Sequence, residues 1–275
     1  MLMPSSIQHR MEFVNATFLG IVQGLTEFIP VSSSGHLIIA RQFLGEQVAY
    51  GLAFDAVLQL ATTFAVLVYF WKDITGYIAT FFAWVLKKDV SKEQKTLLTA
   101  IIVGSIPAGI FGFLFENVME TLFRNPLLVA ASLLGGAAIM FFAERAATQT
   151  KTLTTKRGFQ VGLFQALALV PGFSRSGMTI SGGLFIGLTR EAATRFSFLL
   201  AFPILLGSGL KKLLDLFQEG LLGSVGLELI VGSLAAFVVG LAAIHFLVSY
   251  LKKNTLMVFV WYRVVLACLV LFLFA

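Results

Sequence analysis

The chain has 275 residues, of which 58% are hydrophobic and 12% charged, with a formal net charge of +6 and a mean hydropathy of +0.91. So little charge cannot hydrate a water-facing surface, and the long apolar runs rich in Gly and Ala lack the alternating strands of about ten residues that a closed barrel needs, so an all-α polytopic membrane protein is expected. A single cysteine, Cys268, excludes an internal disulfide and a cysteine-based metal cluster, and the basic residues sit between apolar runs without the aromatic interleaving of a nucleic-acid surface.

Residues 1–12 carry no small-residue cleavage site and do not read as a removable leader. A helix is predicted over 12–29; it breaks from Pro30 to Gly35 and is followed by a short apolar piece ending near Gly45, which reads as a re-entrant helix-loop-helix. Spans of about 20 residues follow at 50–71, 97–115 and 126–143, and the short aromatic segment 74–86 is taken as an interfacial helix. The pattern then returns: a helix over 159–170, a break from Pro171 to Gly177, a short piece ending near Gly187, and spans at 192–210, 226–250 and 255–275. That makes about six full spans. The loops 87–96 and 144–157 are ordinary connections, so the chain reads as one membrane domain with repeat 1 at about 12–143 and repeat 2 at about 156–275.

The two interrupted segments match each other. At a constant offset of 142 (165 minus 23), Gln23 falls on Gln165, Leu25 on Leu167, Ser32 on Ser174, Ser34 on Ser176 and Gly35 on Gly177; the register continues through Phe43 and Phe185 and through Gly45 and Gly187 to Phe54 and Phe196. This is the trace of a diverged internal duplication, and interrupted segments at corresponding places in two halves point to a buried site at their interface. The three spans between the re-entrant pairs put those pairs on opposite faces, so two inverted-topology repeats are expected. The same count gathers most lysines and arginines, among them Lys87, Lys88, Lys151, Lys156, Lys252 and Lys253, on one face. That face is then cytoplasmic, with both termini outside.

Gln23 and Glu27, four residues apart, share a helical face just before the first break. A carboxylate there could hold a divalent cation or orient a histidine; an isolated one would read as a helix-cap or headgroup group, but a place within the membrane favours function. Ser32-Ser33-Ser34-Gly35-His36 sets three hydroxyls and an imidazole where a short helix opens, and the N–H groups and dipole of such a helix favour an anion. Serine needs a neighbouring base to become a nucleophile, and His36 stands beside serines while His9 and His245 do not. The plainer alternative is serines packing helices around a core histidine.

In Pro171-Gly172-Phe173-Ser174-Arg175-Ser176-Gly177-Met178-Thr179 a guanidinium lies between two serines at a glycine-flanked break, the chemistry of a phosphate clamp, with Glu27 as its expected charge partner. Arg263 stands alone in the last span and is assigned to snorkelling or to structural pairing. Gly135-Gly136 and Gly232-x-x-x-Ala236 are small-residue surfaces where helices meet within the chain or between two copies. Hydroxyl, base, carboxylate and guanidinium together are the parts that phosphoryl transfer requires, and no Walker A, zinc or Gly-x-Ser-x-Gly motif is present.

The paired motifs Gln23 to His36 and Pro171 to Gly177 resemble the bacterial undecaprenyl pyrophosphate phosphatase family of the bacitracin-resistance type, over nearly the whole chain. The resemblance implies an enzyme of the bacterial cytoplasmic membrane that removes the terminal phosphate of undecaprenyl pyrophosphate at a site open to the outer side, recycling the lipid carrier for peptidoglycan and conferring bacitracin resistance. It implies a need for Mg2+ or Ca2+. Carried onto this sequence, Ser33 is the candidate nucleophile, His36 the general acid or base, Glu27 the metal ligand or histidine orienter and Arg175 the phosphate clamp. Gln23, Ser32, Ser34, Ser174, Ser176 and Thr179 become the candidate substrate-binding groups. The family pattern has Glu or Gln at the first motif position; Gln23 here leaves Glu27 as the carboxylate of this motif.

The sequence leaves attack by Ser33, by His36 or by a metal-bound water open. It also leaves open a second function class, a lipid-phosphate flippase, because inverted repeats with broken helices also describe transporters. A nucleophile beside a base favours the enzyme, since a carrier needs charge matching and no group poised to attack. A purely structural membrane protein would not depend on these polar residues at all.

Overall fold

Eleven helices and no sheet make up the described residues of the computed structural model, which are 5–44, 48–115, 125–218 and 226–274. They are α1 (Ser5–Phe28), α2 (Ser33–Leu44), α3 (Val48–Tyr69), α4 (Trp71–Val85), α5 (Lys92–Leu114), α6 (Pro126–Ala146), α7 (Thr155–Leu167), α8 (Arg175–Phe185), α9 (Arg190–Gln218), α10 (Leu227–Leu251) and α11 (Met257–Phe274). The expected all-helical membrane fold is what forms. Five helices (α5, α6, α9, α10 and α11) are long and apolar enough to cross a membrane, and α3 with α4 gives a sixth if that bent pair is one span. The two members of the pair meet at 85°, so the aromatic segment lies across the axis of α3.

Local chemistry sets the helix starts. Ser91 and Gln94 form a capping box ahead of α5, Asn125 caps α6 with Pro126 at its first position, and Thr154 accepts from the Arg157 N–H to cap α7. The two short helices that follow the breaks are α2 and α8, each beginning on the second residue of its Ser-x-Ser motif. Gly45, one member of the sequence repeat, lies outside the described residues.

Packing follows the small residues. Helix α1 lies against α10 and α7 against α5, in both cases at crossings too tight for a side chain. A Cβ on Gly20 would sit 2.2 Å from the Gly232 carbonyl oxygen, and one on Gly162 would sit 2.2 Å from that of Gly104. Gly20 and Gly162 are themselves related by the offset of 142, so the same close approach occurs twice, each time between a helix of one half and a helix of the other. The small-residue surface Gly232-x-x-x-Ala236 is thus filled from within the chain by α1, through Gly20 and Gly24.

The main core runs through the middle of the molecule and includes Phe28, Phe70, Met140, Met178, Ile180 and Phe198. Phe28 packs edge-on to Phe198 of α9, with ring centroids 5.7 Å apart, and this fixes the end of α1 one residue past Glu27. Because close packing leaves α1 little freedom, Glu27 is presented to the second loop on a rigid element.

Candidate active site

Each half stops a helix and restarts it through a residue with positive φ: Ser32 at 77° and Ser174 at 70°. Such a conformation is uncommon for a residue with a side chain and is held only where the surroundings over-determine it. Here the hydroxyls do so. Ser32 Oγ accepts from the Gly35 N–H at 3.3 Å and Ser174 Oγ from the Gly177 N–H at 3.3 Å, and the pairs Ser32–Ser34 and Ser174–Ser176 each lie 3.2 Å apart. In the second loop Gly172 adopts φ 104°, and a Cβ there would lie 2.6 Å from that of Ser132, so glycine is required.

The two loops meet at Glu27. Its Oε2 accepts from Ser33 Oγ at 2.7 Å and from Gln23 Nε2 at 3.2 Å, while its Oε1 accepts from Arg175 Nη2 at 2.9 Å. Glu27 is 7% exposed and Gln23 2%, so these bonds are made largely out of water, where charge-assisted contacts are strongest. The expected Glu27–Arg175 pair is present. Arg175 Nε and Nη1 are buried without a hydrogen-bond partner among the described residues, which leaves two donors of a fork suited to phosphate oxygens.

Ser33 and Arg175 occupy the same place in their respective loops, since 33 plus the offset of 142 is 175. One loop therefore supplies a hydroxyl where the other supplies a cation. The corresponding position to Glu27 is Leu169, and the amide of Gln165 accordingly has no hydrogen-bond partner among the described residues, unlike that of Gln23.

His36 is held differently from the sequence expectation. Its Nδ1 lies 2.7 Å from the Ser32 carbonyl oxygen and its Nε2 lies 2.7 Å from the Tyr262 hydroxyl. A carbonyl only accepts, so Nδ1 carries a proton and donates it. Glu27 therefore bonds Ser33, Gln23 and Arg175, whereas Ser32 and Tyr262 orient the imidazole. Thr179 donates to the Arg175 carbonyl at 2.8 Å and pairs with Ser197 of α9 at 2.5 Å. Its hydroxyl is engaged in fastening α8 to α9.

Sequence reasoning missed the role of α11. Arg263 does not snorkel: it is 0% exposed, and its guanidinium donates to backbone carbonyls of both loops and of α6. Gly136 makes room for it, since a Cβ there would lie 2.1 Å from Arg263 Nη2. The signal was available, because an arginine in the middle of an apolar span is costly unless it is used.

A helical membrane protein with a polar centre built from two interrupted helices, one presenting a hydroxyl on a carboxylate and the other a guanidinium, is the class that this fold and site define. The family model described as Bacitracin resistance protein BacA matches residues 16–269, and the chain belongs to that family. It is 47% identical over 267 residues to the undecaprenyl-diphosphatase of Mycolicibacterium smegmatis, covering 95% of this chain and 96% of that one. It is 44% identical over 262 residues to the undecaprenyl-diphosphatase of Micrococcus luteus, covering 93% and 95%. With the enzyme of the same name from Thermobifida fusca the identity is 43% over 265 residues, covering 95% and 90%.

Proposed function

We infer that this chain is an undecaprenyl-diphosphatase, a membrane hydrolase that converts undecaprenyl diphosphate to undecaprenyl phosphate and inorganic phosphate. The observation that carries the reading is Glu27 bound at once to Ser33 Oγ, 2.7 Å away, and to Arg175, 2.9 Å away, in a chain whose relatives over nearly full length bear that name. Transport gains nothing from this arrangement, because moving a headgroup needs no hydroxyl seated on a carboxylate.

In the proposed reaction the diphosphate draws Arg175 from Glu27, and the guanidinium pairs with phosphate oxygens through the donors that are otherwise unpartnered. Ser33 Oγ bonds to the terminal phosphorus as the bond from that phosphorus to the bridging oxygen breaks. The serine proton passes to Glu27 and from there to the departing undecaprenyl phosphate. Water then adds to the phosphoserine, its proton returning to Ser33 Oγ as inorganic phosphate leaves. Glu27, within hydrogen-bond reach of the attacking oxygen, is the group placed to take that proton, in keeping with the rule that geometry comes before pKa. His36 braces the loop through Ser32, and Ser32, Ser34, Ser174 and Ser176 shape it.

The described residues contain no group of three or more His, Cys, Asp or Glu able to cage a metal ion. The oxygen donors of Glu27 and Gln23 do fit a Mg2+ or Ca2+ that arrives with the diphosphate, since such ions are often held by one or two carboxylates together with substrate phosphates and water. Bound there, the ion would neutralise phosphate charge.

We also read the two halves as inverted-topology repeats, supported by the matched φ values, hydroxyl pairs and glycine crossings described above. We read both termini as lying outside the bacterial cytoplasmic membrane, with the site open to the outer side, and the basic bias of the opposite face supports this. Phosphate release from undecaprenyl diphosphate by the purified chain in detergent, with and without Mg2+, tests the function. Activity in the wild type that falls about 10²- to 10³-fold in Arg175→Ala is expected. No release by the wild type would refute it.

A further inference from the structure

We propose that Arg263 is the positioning residue of the site: its guanidinium ties the two broken-helix loops to one another and so sets the distance between Ser33 and Arg175. The proposal rests on the phosphatase reading above. Arg263 Nη1 donates to the Pro30 carbonyl at 3.4 Å in the first loop and to the Phe173 carbonyl at 3.0 Å in the second. Nη2 donates to the Gly172 carbonyl at 2.7 Å, and Nε and Nη2 both reach the Leu133 carbonyl of α6 at 3.2 Å. Pro30 lies three residues before Ser33, and Phe173 two before Arg175. One planar group thus holds both approaches to the reacting pair.

The physical need is specific to a helix broken within a membrane. Pro30, Gly172 and Phe173 lie past the ends of the helices that precede them, so their carbonyls accept no helical bond, and lipid offers none. A lysine would present one nitrogen where five fixed N–H bonds in a fork are used. No acidic side chain forms an ion pair with Arg263 among the described residues, so its charge is met by carbonyl dipoles of three separate segments. The next residue back, Tyr262, bonds His36, so α11 touches the first motif twice.

The test is a cycle of kinetic measurements on the full chain in detergent with undecaprenyl diphosphate. Phosphate release by the wild type comes first; without it the phosphatase reading fails and this proposal falls with it. Displacing reacting groups by about 1 Å costs about 10²-fold, so Arg263→Lys is expected to lower kcat by about that factor. In an Arg175→Ala background, where the loop-to-loop distance no longer matters to the clamp, the same substitution should cost less than about threefold. A loss of general stability would instead multiply equally in both backgrounds, and equal factors overturn the proposal while leaving the phosphatase reading intact. Should Arg263→Lys fail to fold, Gly136→Ala serves in its place: its Cβ, 2.1 Å from Nη2, displaces the guanidinium without removing it, and the same unequal or equal factors decide.

Discussion

Replacing Glu27 by glutamine keeps the side chain's size and removes its charge, and two separable losses should follow. The side chains of Glu27 and Arg175 are 6% and 11% exposed, so the substitution leaves a guanidinium charged and nearly dry. Removing one partner of a buried pair costs about 3–5 kcal/mol, and because the amide oxygen still accepts one bond the lower end, about 3 kcal/mol, is expected. The rate suffers independently: Ser33 loses its proton acceptor, which costs about 10²- to 10⁴-fold in kcat. Thermal unfolding in detergent followed by tryptophan emission reads the first loss, and phosphate release reads the second. The double variant Glu27→Gln with Arg175→Gln, having no orphaned charge, should recover most of the stability and stay inactive. Stability costs that simply add, or a Glu27→Gln enzyme with more than about a tenth of wild-type kcat, would refute the reasoning.

At Gly162 an added methyl would meet the Gly104 carbonyl oxygen at 2.2 Å, so Gly162→Ala should cost about 1–3 kcal/mol by overpacking, and Gly20→Ala, 2.2 Å from the Gly232 oxygen, a similar amount; differential scanning of each variant checks this. Ser174 holds φ 70° and caps the Gly177 N–H, so both Ser174→Ala and Ser174→Gly lose the cap, but only glycine relaxes the backbone; alanine should be the less stable by about 1 kcal/mol. Thr179 fastens α8 to Ser197, so Thr179→Val should lower the unfolding midpoint while leaving KM for the diphosphate within about twofold of wild type; a larger rise in KM would restore it to the substrate site.

The broken helices and the pairing of Glu27 with Arg175 were legible in sequence because they rest on local signals: a proline followed by a Ser-rich turn, a repeat at constant offset, and a carboxylate and guanidinium with no other use in apolar surroundings. The bonds of His36 were not. Ser33 and His36 lie three apart on α2, which suggests a nucleophile and base on one face, yet the imidazole turns back to the Ser32 carbonyl and out to Tyr262, 226 residues away in sequence. Nothing local marks that tyrosine. Arg263 was visible as an oddity, but the five donors could be assigned only once the ends of both loops and the gap over Gly136 were placed together in space. Thr179 shows the converse: a hydroxyl one turn into a helix reads as a ligand until the neighbouring helix that claims it is known.

The coincidence of Ser33 and Arg175 at one register position makes the centre lopsided, with a hydroxyl on one oxygen of Glu27 and a cation on the other. On the phosphatase reading, matching residues would accept a two-phosphate headgroup in either sense, whereas a hydroxyl set against a guanidinium favours one, with the terminal phosphate toward the serine. Two loops of like build thus carry unlike chemistry, which on that reading is what would tell one end of the ligand from the other.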